Sequence, residues 1–309
     1  MGRLFFHRSV TFTPLRPPCR HYPPVATNTK NIISVGIIIG IDVGISTTKI
    51  VGINDGNIIS PIRIKATDPV TSLYGAFGKY LHDNNIALTD VDHVMLTGVG
   101  SAYIQGNVYG RPTEVTDEFT ADALGARYAC DLDRMIVVSM GTGTTFVKYD
   151  NHDISHIAGI AMGGGTLAGL ARLLLGTDDI QHILSLAEKG NIANIDLVIG
   201  DICKNEIPGL PPFATASLFG KAQATTPKED IALGLICTVI QTIGSATILA
   251  AKGTVIKDFV MIGNLTLLPQ TRVVFSMLEQ LYGVRFHIPK HSEFSTAIGA
   301  AMSYIKKQA

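Results

Sequence analysis

At 309 residues and 46% hydrophobic content, the chain is long enough to build two domains, or two lobes of one enzyme, around large cores. Twenty-five basic residues balance 25 acidic ones, which argues against a nucleic-acid or anionic-membrane partner held by bulk electrostatics, and 7% aromatics without Trp are too sparse for a base-stacking platform. Four scattered cysteines (Cys19, Cys130, Cys203, Cys237) lack the close spacing of a zinc or iron–sulfur site and fit a reduced cytoplasm.

Residues 1–35 are a different material, carrying Arg3, Arg8, Arg16, Arg20, Lys30 and five prolines, with no acid before Asp42. Such a stretch cannot bury enough surface to fold and is expected to be a disordered basic tail, transit-peptide-like in composition, to which no function is attached.

Residues 37–52, IIIGIDVGISTTKIVG, read as a buried strand, a tight turn from Gly40 to Gly44, and an outgoing strand from Ile50. The turn brings together Asp42, Gly44, the hydroxyls of Ser46, Thr47 and Thr48, and Lys49. That set suits polyphosphate: backbone N–H groups and hydroxyls close on phosphate oxygens, Lys49 neutralises charge, and Asp42 holds a hydrated Mg2+. Residues 69–82 predict an amphipathic helix with Leu73, Ala76, Phe77, Tyr80 and Leu81 on one stripe. A short strand from Val91 to Leu96 ends at Thr97-Gly98-Val99-Gly100, a loop able to face a ligand, with Gly98 on the substrate side. A helix starts near Thr116 or Asp117 and carries Glu118, Phe119, Asp122 and Leu124.

Residues 135–149, MIVVSMGTGTTFVKY, repeat the first plan, with Gly141-Thr142-Gly143 at the turn. Both copies turn again through a polar loop into a third strand, so the architecture is expected to be duplicated, with two glycine turns facing one cleft and gripping a nucleotide triphosphate from both sides. Gly163-Gly164-Gly165-Thr166 opens a helix closed by Gly176, where the N–H groups and dipole would receive phosphate or ribose. After a Pro/Gly loop at 208–212, residues 231–251 run uncharged and are long enough to span a bilayer. Gln241, the threonines and Ser245 favour a buried helix or a subunit interface instead, and no membrane partner is expected. A buried strand from Phe259 to Ile262 ends at Gly263-Asn264, a further helix and a strand over 284–288 follow, and a last helix capped by Ser292 carries Phe294, Ala297, Ile298, Ala301, Met302 and Ile305 on one stripe. Strands and helices alternate throughout, so each lobe is α/β.

A kinase needs a carboxylate to accept or orient the acceptor hydroxyl's proton. By spacing alone Asp117, Glu118 or Asp122 would serve, or all three would simply form an acidic first turn.

The ordered blocks GIDVGISTTK, TGVG, EFTADALG, MGTGTT, MGGGTLAGL, IGN and FSTAIGAA resemble the type II pantothenate kinases, within the superfamily of sugar kinases, actin and heat-shock chaperone ATPases, over about residues 36–305. The resemblance implies a two-lobed, duplicated actin-like/ribonuclease-H-like ATPase fold with the nucleotide cleft between lobes 36–133 and 134–309. It implies ATP and Mg2+ as cofactors, with Asp42 to Lys49 as the nucleotide loop, Thr142 and Gly143 as the second phosphate contact, Gly164, Gly165 and Thr166 as the glycine-rich helix start, and Asn264 on the adenosine side. Glu118 becomes the general base and Asp122 a structural partner. The reaction implied is phosphorylation of pantothenate, the first step of coenzyme A biosynthesis, by a cytoplasmic homodimer. The alternatives are a kinase for another alcohol, such as a sugar or pantothenate-like metabolite, and a non-catalytic ATP-binding regulator. Two positions depart from the family: His156 stands where an Arg pairs with the substrate carboxylate, and Ile180 where bacterial relatives have an aromatic. A neutral imidazole cannot offer a bidentate charged fork.

Overall fold

The computed structural model describes residues 36–66, 68–205 and 207–308. The tail expected over 1–35, with Cys19, lies outside the described residues.

Apolar runs broken by glycine and asparagine turns generate two five-stranded sheets with the same wiring. In the first, β1 (Ile37–Val43), β2 (Thr47–Asn54) and β3 (Asn57–Lys65) form an antiparallel meander, and β4 (Val91–Thr97) and β5 (Thr113–Val115) add in parallel on the other side of β1. The second repeats this with β6 (Arg134–Met140), β7 (Thr144–Asp150), β8 (Asp153–Ile160), β11 (Asp258–Ile262) and β12 (Arg285–His287). A short ribbon of β9 (Leu197–Val198) and β10 (Thr215–Ser217) stands apart. The duplication read from the two glycine turns is therefore present in the strand order itself.

Helices cover both sheets. Outside the first lies α1 (Pro69–Asp83), whose N-cap Asp68 accepts from the Thr71 N–H at 2.7 Å and whose Leu73, Ala76, Phe77 and Tyr80 enter the core against Ile39, Ile41, Val43 and Ile50. Between the sheets run α2 (Glu118–Cys130) and, from the far end of the chain, α8 (Ser295–Gln308). Ala123 and Ala126 of α2 pack on the second sheet, while Ala297, Ile298 and Ala301 of α8 pack on the first, so each helix crosses over to the other half's strands. Their backbones touch: a Cβ on Gly299 would sit 1.7 Å from the Ala121 carbonyl oxygen, and one on Gly125 would sit 1.9 Å from that of Ser295.

Outside the second sheet pack α3 (Gly164–Leu175), α4 (Ile180–Ala187), α6 (Lys228–Ala250) and α7 (Pro269–Tyr282), with α5 (Ile199–Ile202) in the irregular stretch between α4 and α6. The long apolar α6 contributes Ala232, Leu233, Leu235, Ile236, Val239, Ile240 and Ile243 to this core. Its length and mean hydropathy of 1.8 would let it cross a membrane, but 61% of that window is buried among its neighbours. Asp230 in its first turn is also buried and is satisfied by the Asn191 N–H at 2.6 Å and the Asn194 side-chain amide at 2.9 Å. One cap differs from expectation. Ser292 opens a single tight turn, Ser292–Phe294, and α8 begins after it at Ser295, because the Ser292 carbonyl is taken by the Gly263 N–H and its hydroxyl by Thr266.

Candidate active site

Strand alternation decides which side chains of the first turn face the second lobe. Register pairs Thr97 with Asp42, Asp42 with Lys49, and Lys49 with Arg63, forming one row across β4, β1, β2 and β3 on the face that carries α8. Asp42 and Lys49 are each 7% exposed, and the ammonium meets Asp42 Oδ2 at 3.3 Å. The neighbouring row, Val43–Thr48–Ile64, faces the other way into the α1 core. Thr48 is thus fully buried away from the cleft, and the hydroxyl set read from the sequence shrinks to Ser46 and Thr47 beside the Gly44 N–H bond to the Thr47 carbonyl at 3.1 Å. Thr47 and Thr48 are neighbours on β2, and adjacent residues on a strand cannot share one face.

Gly98 is held at φ +84°, and a Cβ there would lie 2.6 Å from Asp42 Oδ1. Its lack of a side chain lets the β4 loop close on the Asp42 carboxylate, so it belongs beside Asp42, with no room for a larger residue. Thr97, next in the row, is completely buried and its hydroxyl has no hydrogen-bond partner among the described residues.

In the second lobe the turn Gly141-Thr142-Gly143 docks directly on the start of α3. The Gly164 N–H donates to the Gly141 carbonyl at 2.8 Å, the Gly165 N–H to the Thr142 carbonyl at 2.9 Å, and the Thr166 hydroxyl to the Ala161 carbonyl at 3.0 Å. The two glycine N–H groups were expected to be free for phosphate or ribose; instead they knit the second turn to its helix, while Thr166 ties the helix start to the segment before it. Asn264 follows Gly263 at the end of β11, and its side-chain oxygen accepts from Arg63 Nη1 of the first lobe at 3.4 Å. Ser139 occupies the strand position that matches Asp42, so only the first copy of the plan carries a carboxylate at its turn.

Glu118 is the first residue of α2, behind the N-cap Asp117, which accepts from the Thr120 N–H at 2.8 Å. The Glu118 side chain reaches solvent inside the cleft, and the surrounding protein, with a contribution from Asp42, raises its carboxyl above the ordinary range while Lys49 pulls the other way. One turn on, Asp122 is entirely buried and accepts from the Thr296 hydroxyl of α8 at 2.7 Å. Burial first, and Glu118 second, push it up to about 8, which favours its protonated form near neutral pH. Asp117 is exposed as well but caps α2, so Glu118 stays as the accessible acid that feels Asp42 and Lys49, and Asp122 ties α2 to α8.

His156, on β8, stacks on Phe119 of α2 with ring centroids 4.5 Å apart and planes 18° from parallel, forming an aromatic shelf adjacent in sequence to Glu118. Ile180 is the first residue of α4, whose N-cap is Asp179. Sequence reasoning gave no role to Thr97, Arg63 or Phe119. Thr97 and Phe119 sit inside blocks already singled out, whereas Arg63 could be found only from strand register.

A hard divalent cation fits this donor set. Among the described residues no group of three or more His, Cys, Asp or Glu side chains converges as a metal cage, but the buried Asp42 carboxylate beside the unpartnered Thr97 hydroxyl suits Mg2+ held by one protein carboxylate, waters and substrate phosphates.

Residues 113–303 match the profile of the Fumble family. Type II pantothenate kinase from Staphylococcus epidermidis is 29% identical over 278 residues, covering 85% of this chain and 98% of the relative. The enzyme of that name from Staphylococcus aureus is 29% identical over 233 residues, 70% of this chain and 84% of the relative. Among solved structures, the activator of 2-hydroxyisocaproyl-CoA dehydratase from Clostridium difficile with bound ADPNP superposes with a TM-score of 0.63 at 18% identity, covering 88% of this chain and 98% of that one. A ROK family glucokinase from Streptomyces griseus, in complex with glucose and AMPPNP, gives 0.55 at 13% identity, covering 87% and 99%. At such identities these two speak to the fold alone: a two-lobed, actin-like ATPase architecture.

Proposed function

This chain belongs to the Fumble family, and from that premise we propose that it is an ATP-dependent kinase that phosphorylates pantothenate, the first step of coenzyme A biosynthesis. The relatives that share most of its length are named type II pantothenate kinases. The observation that carries the reading is Glu118, an accessible carboxylate with a raised pKa inside the cleft, close enough to feel both Asp42 and Lys49.

In the mechanism that follows, the acceptor hydroxyl lies against Glu118, which orients it and takes its proton as the oxygen–phosphorus bond forms and the terminal phosphate leaves the nucleoside diphosphate. Lys49, Gly44, Ser46 and Thr47 hold the phosphate chain from the first lobe, and Thr142 and Gly143 approach it from the second. Gly164, Gly165 and Thr166 support that second turn, Asn264 lies on the adenosine side, and Thr48 keeps the strand packed. Asp42 would hold Mg2+, with the Thr97 hydroxyl and Gly98 beside it. When bound, the ion neutralises charge on the phosphates. The His156–Phe119 shelf borders the acceptor. Residues 36–133 and 134–309 serve as the two lobes, joined by the crossing of α2 and α8, in a cytoplasmic homodimer.

A second reading, a kinase for a different alcohol, is favoured by the same shelf. A stacked imidazole offers a flat face rather than a charged fork, so it selects poorly for a carboxylate. ADP release measured across pantothenate, pantetheine, hexoses and N-acetylhexosamines separates the two. Turnover on pantothenate above the rest is expected; silence on pantothenate with turnover on another member would overturn the assignment.

A further inference from the structure

Cations on the face of the first sheet that looks toward the second lobe are few, and one of them has no assigned task. Lys49 is ion-paired with Asp42, and Glu118 also faces the pair: two carboxylates against one ammonium. Even with a cation on Asp42, further positive charge facing this site would strengthen its hold on a nucleoside triphosphate. Arg63 supplies that charge. It is paired in register with Lys49 on the same face, is exposed, and has no carboxylate within ion-pair distance among the described residues.

The reason Arg63 faces the cleft is local. Ile59 and Ile62, three apart on β3, both enter the α1 core, so one extra residue is taken up between them. The Tyr80 hydroxyl fills this irregularity, accepting from the Gly52 N–H at 2.7 Å and donating to the Ile59 carbonyl at 3.3 Å. Beyond it Ile62 and Ile64 point to α1, which turns Arg63 and Lys65 to the opposite face. Lys65 lies near enough to Asp178 of the second lobe to add a small lowering to its carboxyl after the dominant Arg172. Arg63 itself reaches Asn264, a neutral amide, through a single N–H at 3.4 Å, leaving the rest of its five donors available.

We propose that Arg63 is a nucleotide-binding residue: its guanidinium takes the phosphate chain of the nucleoside triphosphate from the β3 side of the cleft, steadied across the lobes by the Asn264 amide. A planar fork suits phosphate oxygens, and a guanidinium that touches both lobes makes binding of the polyphosphate favour lobe closure. The proposal rests on the kinase reading, and the experiment keeps the two apart.

Equilibrium binding of ATP, ADP and AMP to the full chain, without acceptor, is measured by calorimetry for the wild type, Arg63→Ala and Arg63→Lys at two salt concentrations. Arg63→Ala is expected to raise the ATP Kd about tenfold or more, ADP less, and AMP little, with Arg63→Lys between; that order of loss fits one charge-assisted contact. The salt dependence of ATP binding should fall in Arg63→Ala. Equal weakening of ATP and AMP would mean a lobe clasp alone and overturn the proposal. So would unchanged ATP affinity together with a raised acceptor KM in steady-state turnover of the same variants, which would give the guanidinium to an acceptor carboxylate. Wild-type protein that binds no ATP defeats the kinase reading and this one together; wild-type binding matched by Arg63→Ala defeats only this one.

Discussion

The Asp42 carboxylate and the Lys49 ammonium meet at 3.3 Å from directly opposed positions on β1 and β2, both almost completely shielded from water. Under the proposed function, nucleotide binding redistributes this pair: phosphate competes for Lys49, and a cation competes for Asp42. The duplicated half has Ser139 at the matching strand position, which confines this charge exchange to one side of the cleft.

Asp42→Asn should separate these roles. The amide keeps the shape, loses the charge for Mg2+ and leaves a buried ammonium without its counter-ion, a loss on the order of 3–5 kcal/mol in well-buried pairs. The Mg2+ concentration giving half-maximal ADP release should rise at least about tenfold, one charge-assisted contact's worth, with a lower thermal midpoint in metal-free buffer. A Mg2+ titration of turnover unchanged from wild type would remove Asp42 from the metal site.

Glu118→Gln keeps size and hydrogen bonding but cannot take a proton. Turnover should fall roughly 10²- to 10⁴-fold with ATP affinity held within about twofold. Because the Glu118 carboxyl is raised and must be ionised to act, the wild-type kcat should decline on the acid side at a higher pH than an ordinary glutamate would allow, and that limb should vanish from the residual activity of the variant. A rate profile in which both proteins share the limb assigns it to another group.

Much of this site was legible because its signals are local. A glycine turn between two apolar strands forces Asp42 and Lys49 together whatever the rest of the chain does, and the repeat at Gly141 to Gly143 doubles the cue. What failed was reading residues as a set without their direction. Thr48 looked like Ser46 and Thr47 in the string, but the two-residue period of a strand sends it into the α1 core. Gly164 and Gly165 looked like free donors, but their N–H groups close on a turn more than twenty residues earlier. Arg63 was invisible because its direction depends on an irregularity in β3 filled by Tyr80 from another element. The crossing of α2 over α8 depends on Gly125 and Gly299, which periodicity treats as gaps in two apolar stripes and not as points of contact.

Asp122 gives stability a specific pH dependence. A free aspartate titrates near 3.8 and burial pushes Asp122 up to about 8, so between those limits the unfolded chain has released a proton that the folded chain keeps. Folding then binds protons, and this group's contribution falls as pH rises through that window, at up to about 1.4 kcal/mol per pH unit. Asp122→Asn has no such proton and still offers an oxygen to Thr296. Urea unfolding at pH 5 and pH 8 should therefore show the variant gaining stability relative to wild type at the higher pH. A constant difference between the two proteins would mean that Asp122 is ionised in the folded state.

The α2–α8 contact should be the least forgiving place in the fold for one added methyl group. At Gly299 a Cβ would lie 1.7 Å from the Ala121 carbonyl oxygen and 2.7 Å from the Gly125 nitrogen, both backbone atoms of α2, so the helices must part. Gly299→Ala should cost at least the ~1–3 kcal/mol typical of overpacking. Ala121 is less than one turn from Glu118, so whatever folded protein remains should also turn over more slowly, with ATP affinity less affected than kcat. Gly169 in α3 is the control, since nothing lies within 4 Å of its Cβ position and its backbone is helical. Gly169→Ala should stabilise the chain by about 0.5–1 kcal/mol through the helix preference for alanine. Thermal unfolding of the two variants side by side decides the matter: midpoints moving in opposite directions are expected, and a Gly299→Ala protein as stable as wild type would mean that the two helices do not meet backbone to backbone.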